Sequence, residues 1–371
     1  MSYQRPDDEY APSPDVAQRW ASRYITGYLQ RHPAHSAPDA AAVQKARRWI
    51  IVWAALAGIV SGTLIGGAEW WMRAHAVDNW EALGWQAQLP YWAGYMLFAG
   101  VVTVLEIGFL YWNSLRGVAQ VSRLAGLPYP STSPMPPAVQ LTIHGVSRTA
   151  LEYPSAGHRI YGVDPHAYLH GWKLTCRAIL YRLKVSLSSF VLRLVMRRLL
   201  GRLTLRGLLP LLSGPLYAVW NGWIAARITQ DAYLQARGPA LVEQMMEALS
   251  GHDADIHALV AQGVGELIMR NQHPHPNLVL LLARLLDSQP EPPGTLQVDW
   301  PATLRAYAQL TGQPQQAVLA ALSQATLLSG PLRGARQRFL GDVFATCQTP
   351  LPHRQLNDLQ RRLNTGQDWP F

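Results

Sequence analysis

The stretch Ile50 to Ala68, nineteen residues without a charge, limits what this chain can fold into more than any other. It reads IIVWAALAGIVSGTLIGGA. As an α-helix it spans about 28 Å, close to the ~30 Å hydrocarbon core of a bilayer. Ala54, Gly58, Gly62 and Gly66 recur every fourth residue, so one helix face carries only small side chains. Such a face lets a second helix approach closely.

A second apolar run, Tyr91 to Asn113, contains a single charge, Glu106. Trp49, Trp53, Trp70, Trp71, Tyr91, Trp92, Tyr111 and Trp112 cluster near the ends of the two runs, as in an interfacial aromatic belt. Lys45, Arg47 and Arg48 precede the first run, and Arg116 and Arg123 follow the second. The loop between them sets Arg73 against Asp78 and Glu81. The bias of basic residues toward the cytoplasm predicts that both ends face inward and the loop outward. The expected fold class is therefore all-α: a transmembrane helical hairpin, with spans of about 50–70 and 91–113, followed by cytoplasmic helical domains. A bacterial-type inner membrane is the expected location. Residues 1 to 40 are polar and proline-rich, so the first run is read as an uncleaved signal-anchor.

Charge supports a membrane-leaning reading. Charged residues make up 15% of the chain, against about 25% in soluble domains. Between Asp164 and Asp231 there are ten basic residues and no acidic one. Five of them, Arg193, Arg197, Arg198, Arg202 and Arg206, are interleaved with Leu and Val. A helix of that kind lies in the headgroup region, its long basic side chains reaching anionic lipid of the inner leaflet. Lipid, not nucleic acid, is the expected partner. Cys176 and Cys347 are far apart and form no CxxC pair, which excludes zinc-knuckle and thioredoxin-type chemistry.

Five regions follow from these patterns. Residues 1–44 hold an amphipathic helix and a linker. Ser13, Pro14 and Asp15 mark its start, and Val16, Trp20, Tyr24, Ile25, Tyr28 and Leu29 recur at helical spacing. That helix is expected to pack on the protein's own cytosolic domain, with an interfacial position as the alternative. Residues 45–116 are the hairpin. Residues 117–171 form a Pro/Gly/His-rich connector, with a short strand read at 138–144 and an irregular stretch at 145–171. Residues 172–249 form a basic apolar helical domain. Its uncharged run 207–226 holds Pro210, Gly214, Pro215, Asn221 and Gly222, and is read as a buried hairpin or re-entrant segment in preference to a third span. Residues 250–371 form a soluble helical domain, with helices expected at 254–271, 276–287, 301–311, 314–328, 332–346 and 354–364 and a further one at 231–249.

Candidate chemistry is sparse. Glu106 is an intramembrane acid, costly unless paired, protonated or wetted. It is expected near the inner interface or bonded to Ser61 or Thr63, with proton or ion handling as the sharper alternative. The small face of the first span is expected to pack within the hairpin, where Gly94 and Gly100 offer a partner surface, or to mediate homo-oligomerisation. His166 and His170, after Asp164, would share a helix face as weak metal candidates, although a polar connector accounts for them. His273 and His275 flank a proline and cannot share one. Thr142-Ile143-His144-Gly145 has the form of a hydrolase strand end, but the chain contains no GxSxG elbow. Neither a GxxxxGK[ST] nor a GxGxxG phosphate loop is present. No cofactor and no metal are expected.

The stretch Leu209-Pro210-Leu211-Leu212-Ser213-Gly214-Pro215, continued by Asn221, Ala225, Thr229 and Ala232, resembles the cadence of the EcsC-type helical domain over about residues 175 to 240. The arrangement also resembles bacterial two-span membrane proteins that carry such a domain. The resemblance implies membrane or envelope association and supplies no catalytic residues. The function expected is a non-enzymatic membrane scaffold or regulator that presents a basic helical domain and binds another protein. A transport or pore component built from an oligomer of the hairpin, with Glu106 in the path, is the alternative.

Overall fold

The computed structural model describes residues 15–33, 39–75, 84–127, 136–152, 159–168, 209–289 and 294–365. Eleven α-helices lie among them. They are α1 (Val16–Arg31), α2 (Ala40–His75), α3 (Trp85–Leu124), α4 (Pro137–Ala150), α5 (Leu209–Leu249), α6 (Ala254–Asn271), α7 (Pro276–Asp287), α8 (Trp300–Gln309), α9 (Gly312–Leu328), α10 (Ala335–Thr346) and α11 (His353–Thr365). No strand occurs among the described residues; a single bridge pairs Ile160 with Val163. The protein is all-helical, and α2 and α3 are long and apolar enough to cross a membrane.

Two compact units form, and neither is one continuous stretch. The larger comprises residues 1–44, 118–171 and 230–371; the smaller comprises 45–117 and 172–229. Helices α2, α3 and α5 each contribute to both.

In the larger unit α6 is the hub. Val260, Ala261, Val264, Leu267 and Ile268 are fully buried along it, and α7, α8, α9 and α10 pack around it. Gly263 makes this possible: a Cβ there would meet Leu322 at 2.6 Å and the Tyr307 hydroxyl at 2.7 Å. Helix starts follow capping chemistry. Asp299 accepts from the Ala302 N–H at 3.0 Å at the head of α8, and α7 opens with Pro276 behind a His275 cap.

Two readings of the sequence change here. The expected strand 138–144 is the body of α4. Val139, Thr142, Ile143, Val146 and Ala150 are its buried residues, a helical spacing that the Val139-Leu141-Ile143 alternation masks. Within the stretch read as a connector, residues 137–150 are thus helical. The amphipathic helix is capped by Asp15, whose Oδ1 accepts from the Gln18 N–H at 2.8 Å. It packs on α4 within the larger unit, as expected, with Ala21, Ile25 and Leu29 buried.

Candidate functional site

The smaller unit brings three helices together. Helix α2 pairs antiparallel with α3. At one end the Asn113 amide donates to the Ile50 carbonyl at 3.0 Å, and a Cβ on Gly117 would fall 2.7 Å from Ile50. At the other, Ile65 and Met72 pack with Tyr95 and Ala99.

At Gly58 the small-residue face of α2 meets α5, where an added Cβ would stand 2.5 Å from the Tyr217 carbonyl carbon and 2.8 Å from the Ala218 nitrogen. Only a glycine permits backbone contact this close. Ala54, Gly62 and Gly66 are buried as well. A Cβ on Gly214 would meet Thr63 Oγ1 at 2.8 Å, and one on Gly222 would meet the Ala55 methyl at 3.7 Å. Gly94 and Gly100, expected to form the partner surface, have no atom within 4 Å of an added Cβ.

This contact also corrects the reading of 207–226. From Leu209 the segment is one continuous helix, not a hairpin. Pro210 falls in its first turn, where backbone N–H groups lack helical partners anyway. Pro215 removes one further donor without ending the helix. The glycines read as breakers are packing positions.

Glu106 finds its partner on α5. Asn221 Nδ2 donates to Glu106 Oε1 at 2.7 Å, and the glutamate is 6% exposed. Neither Ser61 nor Thr63 serves it: the Ser61 hydroxyl donates to the Gly58 carbonyl at 3.3 Å. Asn221 was visible in the sequence only as a helix breaker, and nothing local linked it to an acid 115 residues away.

Around these contacts the unit is apolar outside. Val52, Leu56, Val60 and Leu64 are exposed on α2, and Leu97, Val101, Val104 and Leu105 on α3. Trp49, Trp70, Trp71, Trp85 and Trp112 are exposed near the helix ends. The Arg116 guanidinium sits 5.3 Å over the Trp112 ring, and that of Arg227 5.6 Å over Trp223. These are cation–π pairs one turn apart.

Other candidates resolve into structural roles. Residues 165–168 form a turn, and the His166 N–H donates to Asp164 Oδ1 at 2.8 Å. His170 and the five arginines Arg193, Arg197, Arg198, Arg202 and Arg206 lie outside the described residues. No metal-ligand cluster of three His, Cys, Asp or Glu occurs among the described residues. His144, of the IHG stretch, accepts at Nε2 from the Gln18 amide at 2.8 Å. Burial, and then the charge of Arg148, push its pKa down.

Two polar networks in the larger unit join partners far apart in sequence. In the first, Asp231 receives the Thr149 hydroxyl at 3.2 Å, the Gln235 amide at 3.0 Å and His275 Nε2 at 3.3 Å. Burial alone would raise the Asp231 pKa; the bond and charge of His275 outweigh it and hold it low. The Asn277 N–H lies 3.3 Å from His275 Nδ1, closing the cap of α7. In the second, buried Glu266 accepts from Arg270 Nε at 2.7 Å and from the Tyr168 hydroxyl at 3.0 Å. Arg270 in turn lies 5.3 Å over the Trp300 ring. Burial, and then the charge of Glu266, raise the Tyr168 pKa. A shallow groove of about 370 Å³ runs between the end of α5 and α9, lined by Met245, His252, Gln313, Gln316 and Gln324 among others. Its walls hold no carboxylate and no nucleophile.

Geometry thus defines an all-helical protein with two helices suited to crossing a membrane and a carboxylate–amide pair sealed between α3 and α5. Comparison with family models, with curated proteins and with solved structures returns no match to this chain.

Proposed function

We propose that the protein is a membrane-anchored, non-enzymatic scaffold or regulator whose helical domain works at the cytoplasmic face. The observation that carries this reading is the surface of α2 and α3. Val60 is 57% exposed and Val104 is 69% exposed, each within a run of exposed apolar side chains. Soluble monomers rarely leave a continuous apolar face of this length uncovered. Lipid tails cover it at no cost.

The basic residues flanking the two runs favour an orientation with the larger unit inside the cell. A bacterial inner membrane fits that bias, and the helical domain of the EcsC type remains the family likeness that the reading follows. The five arginines between 193 and 206 supply charge for anionic headgroups. A protein partner for the larger unit completes the scaffold. Burial of Glu106 against Asn221 supports a role in holding helices together and speaks against a path-lining acid.

The test is binding of the purified full chain to vesicles with and without anionic lipid. Replacing the five arginines with glutamine should abolish the preference for anionic vesicles while leaving insertion intact. An unchanged preference would contradict the lipid role.

A further inference from the structure

We propose that the first half of α5, residues 209–226, is a third membrane-crossing helix that runs antiparallel to α2. This rests on the membrane reading of α2 and α3 and goes beyond it.

Register supplies the first argument. Gly222 of α5 lies beside Ile51 and Ala55, Tyr217 beside Gly58, and Gly214 beside Ile59 and Thr63. The two helices therefore descend together in opposite directions. Five further residues from Gly214 back to Leu209 add about 7 Å. They bring the head of α5 level with Ile65 to Ala68, where the apolar run of α2 ends. Residues 209–226 thus match the full depth of that run, and they carry no charge.

The outer surface is the second argument. Val219 is 72% exposed and Trp223 is also exposed, so α5 presents apolar side chains outward as α2 and α3 do.

The third is a shared girdle. Gly117 of α3 touches Ile50, and Gly222 of α5 touches Ile51. The pairs Trp112–Arg116 and Trp223–Arg227 therefore sit at the level of Trp49, which follows Lys45, Arg47 and Arg48. Three helices carry tryptophan and basic residues at one level, as helices ending at one membrane interface do.

Direction removes an objection raised by the sequence alone. A third span entered from the cytoplasmic side would leave Arg227 outside. Antiparallel to α2, the helix delivers Arg227 to the face of Lys45, and its head to the face of Trp71. The Glu106–Asn221 pair then lies inside the membrane between two spans, where an unpartnered carboxylate is costly.

Impermeant-maleimide labelling of single cysteines in the full chain tests this, with Cys176 and Cys347 replaced by alanine. Lys45→Cys and Trp71→Cys report the faces reached by α2; Leu209→Cys and Arg227→Cys report those reached by α5. In intact cells Trp71→Cys and Leu209→Cys should label together, and Lys45→Cys and Arg227→Cys only after lysis. Labelling of Leu209→Cys and Arg227→Cys from one face, with the α2 pair still split, would overturn the third span and leave the two-span reading standing. Labelling of the α2 pair from one face would overturn the membrane reading itself, and the third span with it. Oxidation of Ala55→Cys/Gly222→Cys provides the packing check. Their Cβ separation of 3.7 Å suits a disulfide, and failure to cross-link in membranes would contradict the register.

Discussion

The two units solve the same packing problem in opposite ways. In the larger unit, apolar side chains point inward: twenty-two leucines and valines from α5 to α11, with Tyr307 and Phe339, form one buried cluster. In the smaller unit the inward positions hold a small apolar cluster of Ile65, Met72, Tyr95 and Ala99 together with glycines, Asn113, Asn221 and Glu106, while a row of valine, leucine and tryptophan points outward. The hydrophobic effect drives the first arrangement. In the proposed bilayer it cannot drive the second, because an apolar side chain gains little by leaving lipid for protein. What holds the second together is close backbone approach at Gly58 and hydrogen bonds strengthened by a dry surrounding. Which face of a helix is apolar therefore reports the solvent the helix was built for.

Aspartate substitutions would break this comparison first. Leu281 is fully buried in the larger unit, and Leu281→Asp should cost about 5 kcal/mol by leaving an unpaired charge inside. Chemical denaturation of the full chain in detergent would read it. Val104 is mostly exposed, yet on the proposed lipid contact Val104→Asp should cost about 3 kcal/mol of insertion. The fraction resisting alkaline extraction measures that. The same charge at exposed Gln313, in the larger unit, should change neither quantity. Tolerance of Val104→Asp would erase the difference between the units.

A polar pair inside the bundle sharpens it. Asn221→Leu leaves the Glu106 carboxyl without its amide donor, and should cost about 2 kcal/mol. The double variant Glu106→Leu/Asn221→Leu should recover most of that loss, since neither the amide nor the carboxyl of this pair is then left without the other. Thermal unfolding in lipid nanodiscs would follow both. If the double variant is the less stable, the pair contributes more than mutual satisfaction.

The smallest effect concerns pH. The His144 pKa is pushed below its ordinary 6.5 by burial and by Arg148, and the neutral ring accepts from Gln18. A base with a lowered folded pKa is bound by protons more readily when unfolded. Its contribution is present above about pH 6.5 and lost as pH falls through the folded value. Amide exchange in α1 should therefore quicken on acidification. Gln18→Glu, which offers a carboxylate to the protonated ring, should reverse the trend.

The sequence made the larger unit's helices legible because each rule acts locally. The spans 254–271 and 276–287 match α6 and α7, since Pro276 and the periodic leucines are read within one segment. The apolar runs of α2 and α3 were legible for the same reason. Position 138–144 misled, because three alternating apolar residues imitate a strand until Val146 and Ala150 are counted. Gly214, Gly222 and Asn221 misled for a different reason. Their roles are set by α2 and α3, more than a hundred residues away, and a glycine that admits a neighbouring backbone looks the same in sequence as one that breaks a helix. The Glu106 partner was hidden in that way, as was the Asp231–His275–Thr149 network.

The central claim is that the exposed apolar face of the smaller unit is a lipid contact. Spin labels at Val60, Val104 and Val219 in reconstituted vesicles test it directly, with Gln313 as the aqueous reference. The account predicts that the three valine positions are open to oxygen and closed to a water-soluble nickel reagent, and that Gln313 shows the reverse. Nickel access at Val60 and Val104 equal to that at Gln313 would contradict it.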